Sequence, residues 1–173
     1  MAWTTPSTVS DGQTISASFW NQQIRDNLDF LYATPATTIA SRETTQSITA
    51  GVTTSVSFDL EVVDSVGGFA PTSTTITCKE DGIYLISYSL GIDSGPTLVQ
   101  MGLAFNVVGS PTPDPATVQE LSTDASVGTW FNGEFVKELN DTDTIQLTVF
   151  HSGGGATENI QYARLGIVSL GGL

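Results

Sequence analysis

Beyond about residue 36 the chain is a succession of short strand-like segments, each bounded by turn-forming residues. Short strands with a turn signal roughly every 8–12 residues are typical of a β-sandwich or a β-barrel. The composition agrees, because charged residues make up only 13% of the chain and hydrophobic residues 39%. A neutral chain rich in Thr and Gly suits strands with uncharged outer faces better than helices with charged faces. We therefore predict an all-β domain over residues 37–173.

The strongest predicted strand covers residues 83–92. Its side chains alternate, so that Ile83 and Leu85 share one face while Tyr84 lies on the other. Apolar residues on both faces indicate a strand buried between two sheets or against a neighbouring subunit. The other predicted strands cover residues 47–58, 74–78, 98–108, 127–139, 144–150 and 160–170. A loop over residues 109–115 is expected because its three prolines cannot join a central ladder.

Residues 16–32 contain neither Gly nor Pro, and their apolar side chains recur at helical spacing. This stripe is formed by Trp20, Ile24, Leu28 and Leu31 and is widened by Phe19 and Phe30. We predict one helix of about four turns, which Pro35 ends. The chain is therefore divided into an N-terminal segment, residues 1–36, and the β domain, residues 37–173.

The charge balance limits the partners of the chain. Five basic residues face eighteen acidic ones, which gives a formal net charge of −13. Binding to phosphates requires clustered Lys and Arg, and here the basic residues lie far apart in the sequence. We expect no nucleic-acid partner and no membrane partner.

Cysteine content and hydropathy bear on the compartment. A single cysteine, Cys78, excludes an internal disulfide. Residues 1–18 lack the basic and apolar regions of a secretory signal, and no apolar run approaches the roughly 20 residues of a membrane span. We expect synthesis in a cytoplasm.

Three segments of the β domain resemble the jelly rolls of the C1q/TNF-like family. The segment ITCKEDGIYLISYSL, residues 76–90, is similar to the family's strand, acidic-Gly turn and following strand. The segment LNDTDTI, residues 139–145, is similar to the Leu-x-x-Gly-Asp-x-Val turn, with Asp143 matching and Thr142 standing where Gly is usual. The segment YARLGIV, residues 162–168, is similar to the final strand near the family's trimer axis.

This resemblance implies a jelly-roll sandwich of about eight to ten strands and a compact homotrimer. The trimer is implied by the family and not by the composition or the spacing. The residues expected at the trimer interface are Tyr84, Tyr88, Tyr162, Leu165 and Ile167.

The N-terminal segment resembles the opening of small virion proteins of tailed bacteriophages. They share a Trp near the start, then Gly-x-x-Ile/Val-Thr/Ser-Ala, then Asn-x-x-Ile/Val-Arg-Asp-Asn-Leu, and residues 21–28 (NQQIRDNL) match this last part. Buried interface centres favour aromatic residues and Arg, so we expect the segment to anchor the chain to a larger particle. The alternative is that its apolar stripe packs on the chain's own β domain. The expected anchoring residues are Trp3, Phe19, Trp20, Asn21, Ile24, Arg25, Asp26, Leu28 and Leu31.

Residues capable of chemistry are few. Cys78 and the sole histidine, His151, are far apart in sequence, and we expect a buried thiol and a solvated loop histidine rather than a catalytic pair. One His and one Cys cannot assemble a zinc site, and Asp141 and Asp143 are expected to form a turn rather than bind calcium. Glu134 and Glu138 are a chance carboxylate pair among many acidic residues. We expect no catalytic site, no metal and no cofactor.

These observations favour a structural protein over an enzyme. The expected function is a homotrimeric capsid decoration protein of a phage virion, bound through residues 1–36 to the major capsid protein or another virion protein. The alternative is a tail-tip or tail-fibre head protein that binds a host surface receptor. A polysaccharide depolymerase is the third hypothesis, which the absence of an aromatic-carboxylate cluster disfavours.

Overall fold

Two antiparallel β-sheets, packed face to face, form the β domain in a computed structural model of the chain. The structure describes residues 8, 11–25, 35–93, 98–122, 128–152 and 157–171. The strands are β1 (Thr37–Arg42), β2 (Gln46–Thr49), β3 (Thr54–Ser55), β4 (Leu60–Asp64), β5 (Ile76–Thr77), β6 (Gly82–Ile92), β7 (Leu98–Phe105), β8 (Gln119–Ser122), β9 (Thr129–Leu139), β10 (Thr144–Ser152) and β11 (Thr157–Gly171). The helical segments are α1 (Ala17–Trp20), a π-helical turn (Asn21–Arg25) and a 3₁₀ turn (Pro115–Thr117).

The front sheet has the strand order β4-β1-β11-β6-β9, and β2 pairs with the first part of β11. The back sheet has the order β3-β10-β7-β8, and β5 pairs with the first part of β10. The last strand, β11, lies between β1 and β6, so strands from both ends of the β domain meet in the middle of the front sheet. This arrangement is a jelly-roll sandwich, and it confirms the predicted all-β fold.

Alternation along the strands builds the core. In β6 every second side chain is buried between the sheets, and the same period of two runs through β11 and through most of β10. Full burial of one such side chain contributes about 1.5–3 kcal/mol. The core residues of the four central strands are Tyr84, Ile86, Tyr88 and Leu90 of β6, Ala163, Leu165 and Ile167 of β11, Ile145, Leu147 and Val149 of β10, and Val99, Met101 and Leu103 of β7.

Most predicted strands exist, with shifts at their ends. The prediction over residues 83–92 matches β6, and residues 127–139, 144–150 and 160–170 match β9, β10 and β11. The predicted segment 47–58 is two short strands, β2 and β3, separated by a turn at Gly51. Three strands were not predicted, namely β1, β4 and β8, and each of them is four to six residues long.

The turn between β9 and β10 is a tight hydrogen-bonded turn that includes a residue with a positive φ. Its hydrogen bond runs from the Asp143 N–H to the Asn140 carbonyl oxygen at 3.1 Å, and Thr142 adopts a φ of +73°. A positive φ is the conformation that a Gly at this position would favour. The Thr142 N–H donates to the Cys78 carbonyl oxygen at 2.9 Å, and the Cys78 N–H donates to the Asp143 carbonyl oxygen at 2.7 Å. The turn is therefore fixed to the chain that leads into β6, despite the substitution of Thr for Gly.

Candidate functional site

The outward side of the front sheet, here called the front face, is a broad exposed surface with many apolar side chains. Strand register places these side chains in rows that cross β1, β11, β6 and β9. The members of the front face are Ile39, Ile83, Leu85, Ser87, Ser89, Trp130, Asn132, Glu134, Val136, Glu138, Tyr162, Arg164 and Val168. A monomeric protein rarely leaves a surface of this kind open to water, so the front face is a candidate interface.

One end of the front face is aromatic. Gly91 lies between Tyr162 and Trp130 in the strand register, and the Trp130 indole lies flat over it. A Cβ atom added to Gly91 would come within 3.0 Å of the indole ring, so this position admits only glycine while Trp130 keeps its place. The rings of Trp130 and Tyr162 are 6.0 Å apart between centroids, and Trp130 remains 66% exposed. Aromatic side chains that are held in place but exposed are typical of interface centres.

The other end of the front face is aliphatic. Val168, Leu85 and Val136 lie side by side on three adjacent strands. Ile39 and Ile83 flank this row. Val136 is 55% exposed, although neighbouring aliphatic side chains across a sheet gain free energy from further burial. A partner that covers this row would bury a continuous apolar strip.

The middle of the front face is an open polar concavity of about 470 Å³. Small side chains make it concave, since Ser87 and Ser89 supply its floor on β6. Glu134 and Arg164 stand at its two sides, on β9 and on β11. The front face therefore presents aromatic, polar and aliphatic zones in sequence along the strands.

Four of the five residues predicted for the trimer interface lie elsewhere. Tyr84, Tyr88, Leu165 and Ile167 are buried in the protomer's own core, because they belong to the opposite phase of the alternation in β6 and β11. Tyr162 alone lies on the front face. We therefore correct the assignment of the four buried residues, whose neighbours in sequence face outward instead.

The two buried tyrosines have structural hydrogen bonds. The Tyr84 hydroxyl donates to the Glu80 carbonyl oxygen at 2.9 Å, and the Tyr88 hydroxyl donates to the Thr117 carbonyl oxygen at 3.0 Å. Burial raises the pKa of Tyr84, and burial also raises the pKa of Tyr88. Both side chains stay neutral, and their hydrogen bonds hold them in place within the core.

The predictions missed the residues of β9 that lie on the front face. On β9, Trp130, Val136 and the carboxylates of Glu134 and Glu138 share one phase, and this phase pairs with Ile83 and Leu85 of β6. The pairing of β6 with β9 is not encoded in either strand alone. Without it, the apolar members of this phase could not be assigned to an interface.

The N-terminal helix exists in part as predicted. Ser16 caps α1, since its side-chain oxygen accepts a hydrogen bond from the Phe19 N–H at 3.1 Å, and the π-helical turn continues to Arg25. No residue of Ala17–Trp20 or Asn21–Arg25 is buried. Trp20 is 53% exposed and Ile24 38% exposed, whereas Phe19 and Asn21 are half-buried. Among the described residues, no helix is long and apolar enough to cross a bilayer.

The remaining predicted anchoring residues, and the end of the predicted helix, fall outside the described residues. They are Trp3, Asp26, Leu28 and Leu31. The described part of the stripe leaves two of its members, Trp20 and Ile24, on the surface. It gives no support to the alternative in which these two side chains pack on the β domain.

Cys78 and His151 cannot act as a pair. Cys78 lies beside Asp143 at the start of β10, and His151 follows eight residues later along that strand, about 26 Å away. Cys78 is buried, as predicted, and its Sγ donates to the Glu80 carbonyl oxygen at 3.1 Å. The prediction of a solvated loop histidine is wrong, because His151 is fully buried within β10, and its Nε2 lies 3.3 Å from the Ile48 carbonyl oxygen.

Carboxylates near the predicted turn are engaged in building it. Asp143 accepts hydrogen bonds from the Asn140 N–H and from the Asn106 side-chain amide, each at 2.8 Å. These bonds, that of the Asn140 backbone N–H first, lower the pKa of Asp143. Among the described residues, no three His, Cys, Asp or Glu side chains are grouped so as to hold a metal ion. Glu134 and Glu138 are four residues apart on one face of β9, with their Cα atoms about 13 Å apart.

Comparison with known proteins gives the fold. No protein-family model and no curated protein sequence matches the chain. The globular domain of a zebrafish complement 1qA protein is similar in structure, with a TM-score of 0.63 at 16% identity over 80% of this chain and 99% of that one. Murine APRIL (TM-score 0.57, 13% identity, 79% of this chain, 99% of that one) and Eiger TNF from S. frugiperda (TM-score 0.57, 11% identity, 82% and 96%) are similar too. At these identities the likeness concerns the fold, and residues 37–171 therefore adopt a jelly roll of the C1q/TNF type.

Proposed function

We propose that this chain is a homotrimeric structural protein of a phage virion, and specifically a capsid decoration protein attached through residues 1–36. The single observation that carries the proposal is that the exposed apolar side chains of the described residues include two distinct surfaces. One is the front face of the jelly roll, and the other is the N-terminal helix with Trp20 and Ile24. Two separate interfaces are what a protein needs in order to bind both itself and a particle.

The front face supports self-association. It combines the exposed Trp130 and Val136 with a polar concavity between them, so that it offers a partner both apolar and polar contacts. The C1q/TNF type of fold, through its resemblance to trimeric family members, favours three copies around one axis. An association through the front face would bury the apolar row of Val168, Leu85 and Val136.

The N-terminal segment supports attachment to a virion. Its match to the opening of small virion proteins of tailed phages covers residues 21–28 in the same order and spacing. The exposed Trp20 and Ile24 on its helix supply the apolar contact that an anchor requires.

A trimer suits a capsid because three-fold sites in a shell match its symmetry. Each bound trimer would bridge neighbouring capsid subunits, and its binding free energy would add to the stability of the shell. The net charge of −13 would keep decorated particles soluble. We propose this mechanical role instead of catalysis.

Quantitative mass spectrometry of purified virions tests the proposal through the ratio of this chain to the major capsid protein. A ratio within a few-fold of unity supports decoration, since a shell alone offers so many equivalent sites. A ratio near one per cent contradicts decoration and supports the tail-tip or tail-fibre alternative with a host receptor as partner. Absence from the virion contradicts both.

A further inference from the structure

We infer that Arg164 of one protomer forms an ion pair with Glu134 of the adjacent protomer, and that this pair sets how the front faces meet. The inference rests on the proposed homotrimer and names the contact by which one copy recognises the next. Its partner is therefore a second copy of this chain.

Both charges stand unpaired at the same polar concavity. Arg164 and Glu134 are exposed, and within the described part of the chain neither forms a hydrogen bond or an ion pair. The basic residues of other strands are engaged. Arg42 donates to the carbonyl oxygens of Ser57 and Thr45, and Lys137 lies 3.8 Å from the Asp114 carboxylate and 4.5 Å from the centre of the Phe105 ring.

Arg164 is also the one basic residue that the described strands place on the front face. Arg42 is aligned with Ala163, and Lys137 is aligned with Tyr84, and both of these partners point into the core. The acidic residues that β9 adds to the front face are Glu134 and Glu138. The front face is therefore complementary to itself in charge. Its basic residue, Arg164, lies on the middle strand β11, and the acidic residues Glu134 and Glu138 lie on the edge strand β9.

Register keeps the two charges apart within one protomer. Glu134 is aligned with Ser87 and Arg164 with Ser89, so that β6 lies between them. Two strand spacings and a two-residue offset put their Cα atoms about 12 Å apart. A three-fold contact is heterologous, which means that one part of the face meets a different part on the next copy. We place the edge strand β9 of one protomer against β11 of another, because that arrangement brings Glu134 to Arg164 and meets the charge complementarity of the face.

Burial makes the pairing necessary. When the front face is covered in the trimer, Arg164 and Glu134 both lose water, and an unpaired buried charge is strongly unfavourable. Pairing of base with acid removes both penalties together, whereas a contact of like with like would repel. Glu134 lines the concavity of Arg164, while Glu120 is exposed on β8 of the back sheet, which makes Glu120 a control outside the front face.

Charge reversal tests the pair. Glu134→Arg alone and Arg164→Glu alone are each expected to weaken trimer association about tenfold or more, and the double variant to return within about threefold of the original. Sedimentation equilibrium of the full chain measures the association, and circular dichroism checks that each variant is folded. Glu120→Arg makes the same charge change on β8 of the back sheet, outside the front face, and it is expected to leave association near the original value.

Cross-linking tests the contact directly. In a variant with Glu134→Cys and Arg164→Cys, an intrachain disulfide is excluded because the Cα atoms are farther apart than the roughly 7 Å limit. Mild oxidation is therefore expected to give covalent species up to trimer on a non-reducing gel. The two single-cysteine variants, which retain Cys78, are the controls and are expected to give no covalent trimer.

The outcomes separate the two proposals. A chain that sediments as a monomer at all concentrations overturns the homotrimer and with it the ion pair. A stable trimer in which both single reversals are neutral, and in which the double-cysteine variant gives no cross-linked trimer, overturns the ion pair and leaves the homotrimer standing.

Discussion

Thr142 adopts a backbone conformation that is unfavourable for threonine. Its φ of +73° lies in the left-handed region, where a β-branched side chain clashes with its own backbone, and its side chain is exposed and forms no hydrogen bond among the described residues. The turn persists because it is fixed by the hydrogen bonds of its neighbours to Cys78 and Asn140. The strain is therefore local, and it can be relieved by one substitution.

We predict that Thr142→Gly stabilises the protein by about 0.5–1 kcal/mol, since relief of the strain exceeds the extra chain entropy that glycine loses on folding. Thermal unfolding should show a midpoint about 2–4 °C higher. Thr144→Gly is the matched control, because Thr144 begins β10 without a positive φ, and the same exchange should destabilise there. A lower midpoint for Thr142→Gly would contradict the strain.

Asp143 links stability to pH in the same turn. Hydrogen bonds from the Asn140 N–H, first, and from the Asn106 amide lower its pKa below the ordinary 3.8. A lowered pKa in the folded state means that the carboxylate contributes stability above the unfolded value, and that this contribution is lost as the pH falls through the lowered pKa.

We therefore expect Asp143→Asn to cost about 0.5–1 kcal/mol at neutral pH, a figure that allows for solvent screening. The stability curves of the variant and the original should converge as the pH falls below 3.8. Urea unfolding across a pH series measures both. Asp141→Asn, at a carboxylate that accepts no hydrogen bond within the described residues, should show a smaller loss at neutral pH. A constant gap between the two curves would show that Asp143 acts through its shape alone.

At the scale of elements, β6 and β11 carry apolar residues in both phases of their alternation. Leu165 points into the core and Val168 points outward, and Tyr84 and Leu85 differ in the same way. In such strands one phase fills the core of the protomer, and the other leaves apolar side chains on the front face. The same substitution should therefore affect folding in one phase and association in the other.

We predict that Val136→Asp gives a folded monomer, because it places a charge on the front face, while Leu165→Asp unfolds the protomer. A buried and unpaired carboxylate belongs to the few changes that cost more than about 4 kcal/mol. Circular dichroism and light scattering after size-exclusion chromatography distinguish the two results.

Val108→Asp makes the identical change on a loop residue that is 96% exposed, and it should leave both fold and assembly intact. If the Val136→Asp variant were still a trimer, the front face would not be the trimer interface. If the Leu165→Asp variant were still folded, Leu165 would not be needed in the core.

At the scale of the whole molecule, we propose that the jelly roll and the N-terminal helix have separate roles. In this proposal the front face serves self-association, and the helix with Trp20 binds the particle. If these roles are separate, a change in one should leave the other untouched.

We predict that Trp20→Ala lowers binding to the particle about 30-fold, the effect of losing an aromatic anchor worth about 2 kcal/mol. The copy number per virion, by mass spectrometry, and the oligomeric state, by light scattering, are the two measurements. The trimer should be unchanged. Val108→Ala removes an exposed apolar side chain from a loop of the β domain and should alter neither measurement, whereas full occupancy by Trp20→Ala would contradict the anchor.

The sequence by itself determined the all-β class, the phase of alternation in the long strands and the start of the helix. These depend on local patterns, namely a period of two in β6 and a cap followed by a helical stripe at Ser16. The short strands β1, β4 and β8 escaped detection because four to six residues with few apolar side chains carry little pattern.

Only the tertiary structure decided which phase of each strand is inside. Alternation tells which residues share a face, but both faces of β6 are apolar, and so the pattern alone left Tyr88 and Leu85 equivalent. The choice follows from the pairing of β11 with β1 and β6 and from the back sheet that covers one side. That pairing joins residues far apart in the chain, and it buried His151, placed Tyr84, Tyr88, Leu165 and Ile167 in the core and left Trp130, Val136 and Arg164 on the front face.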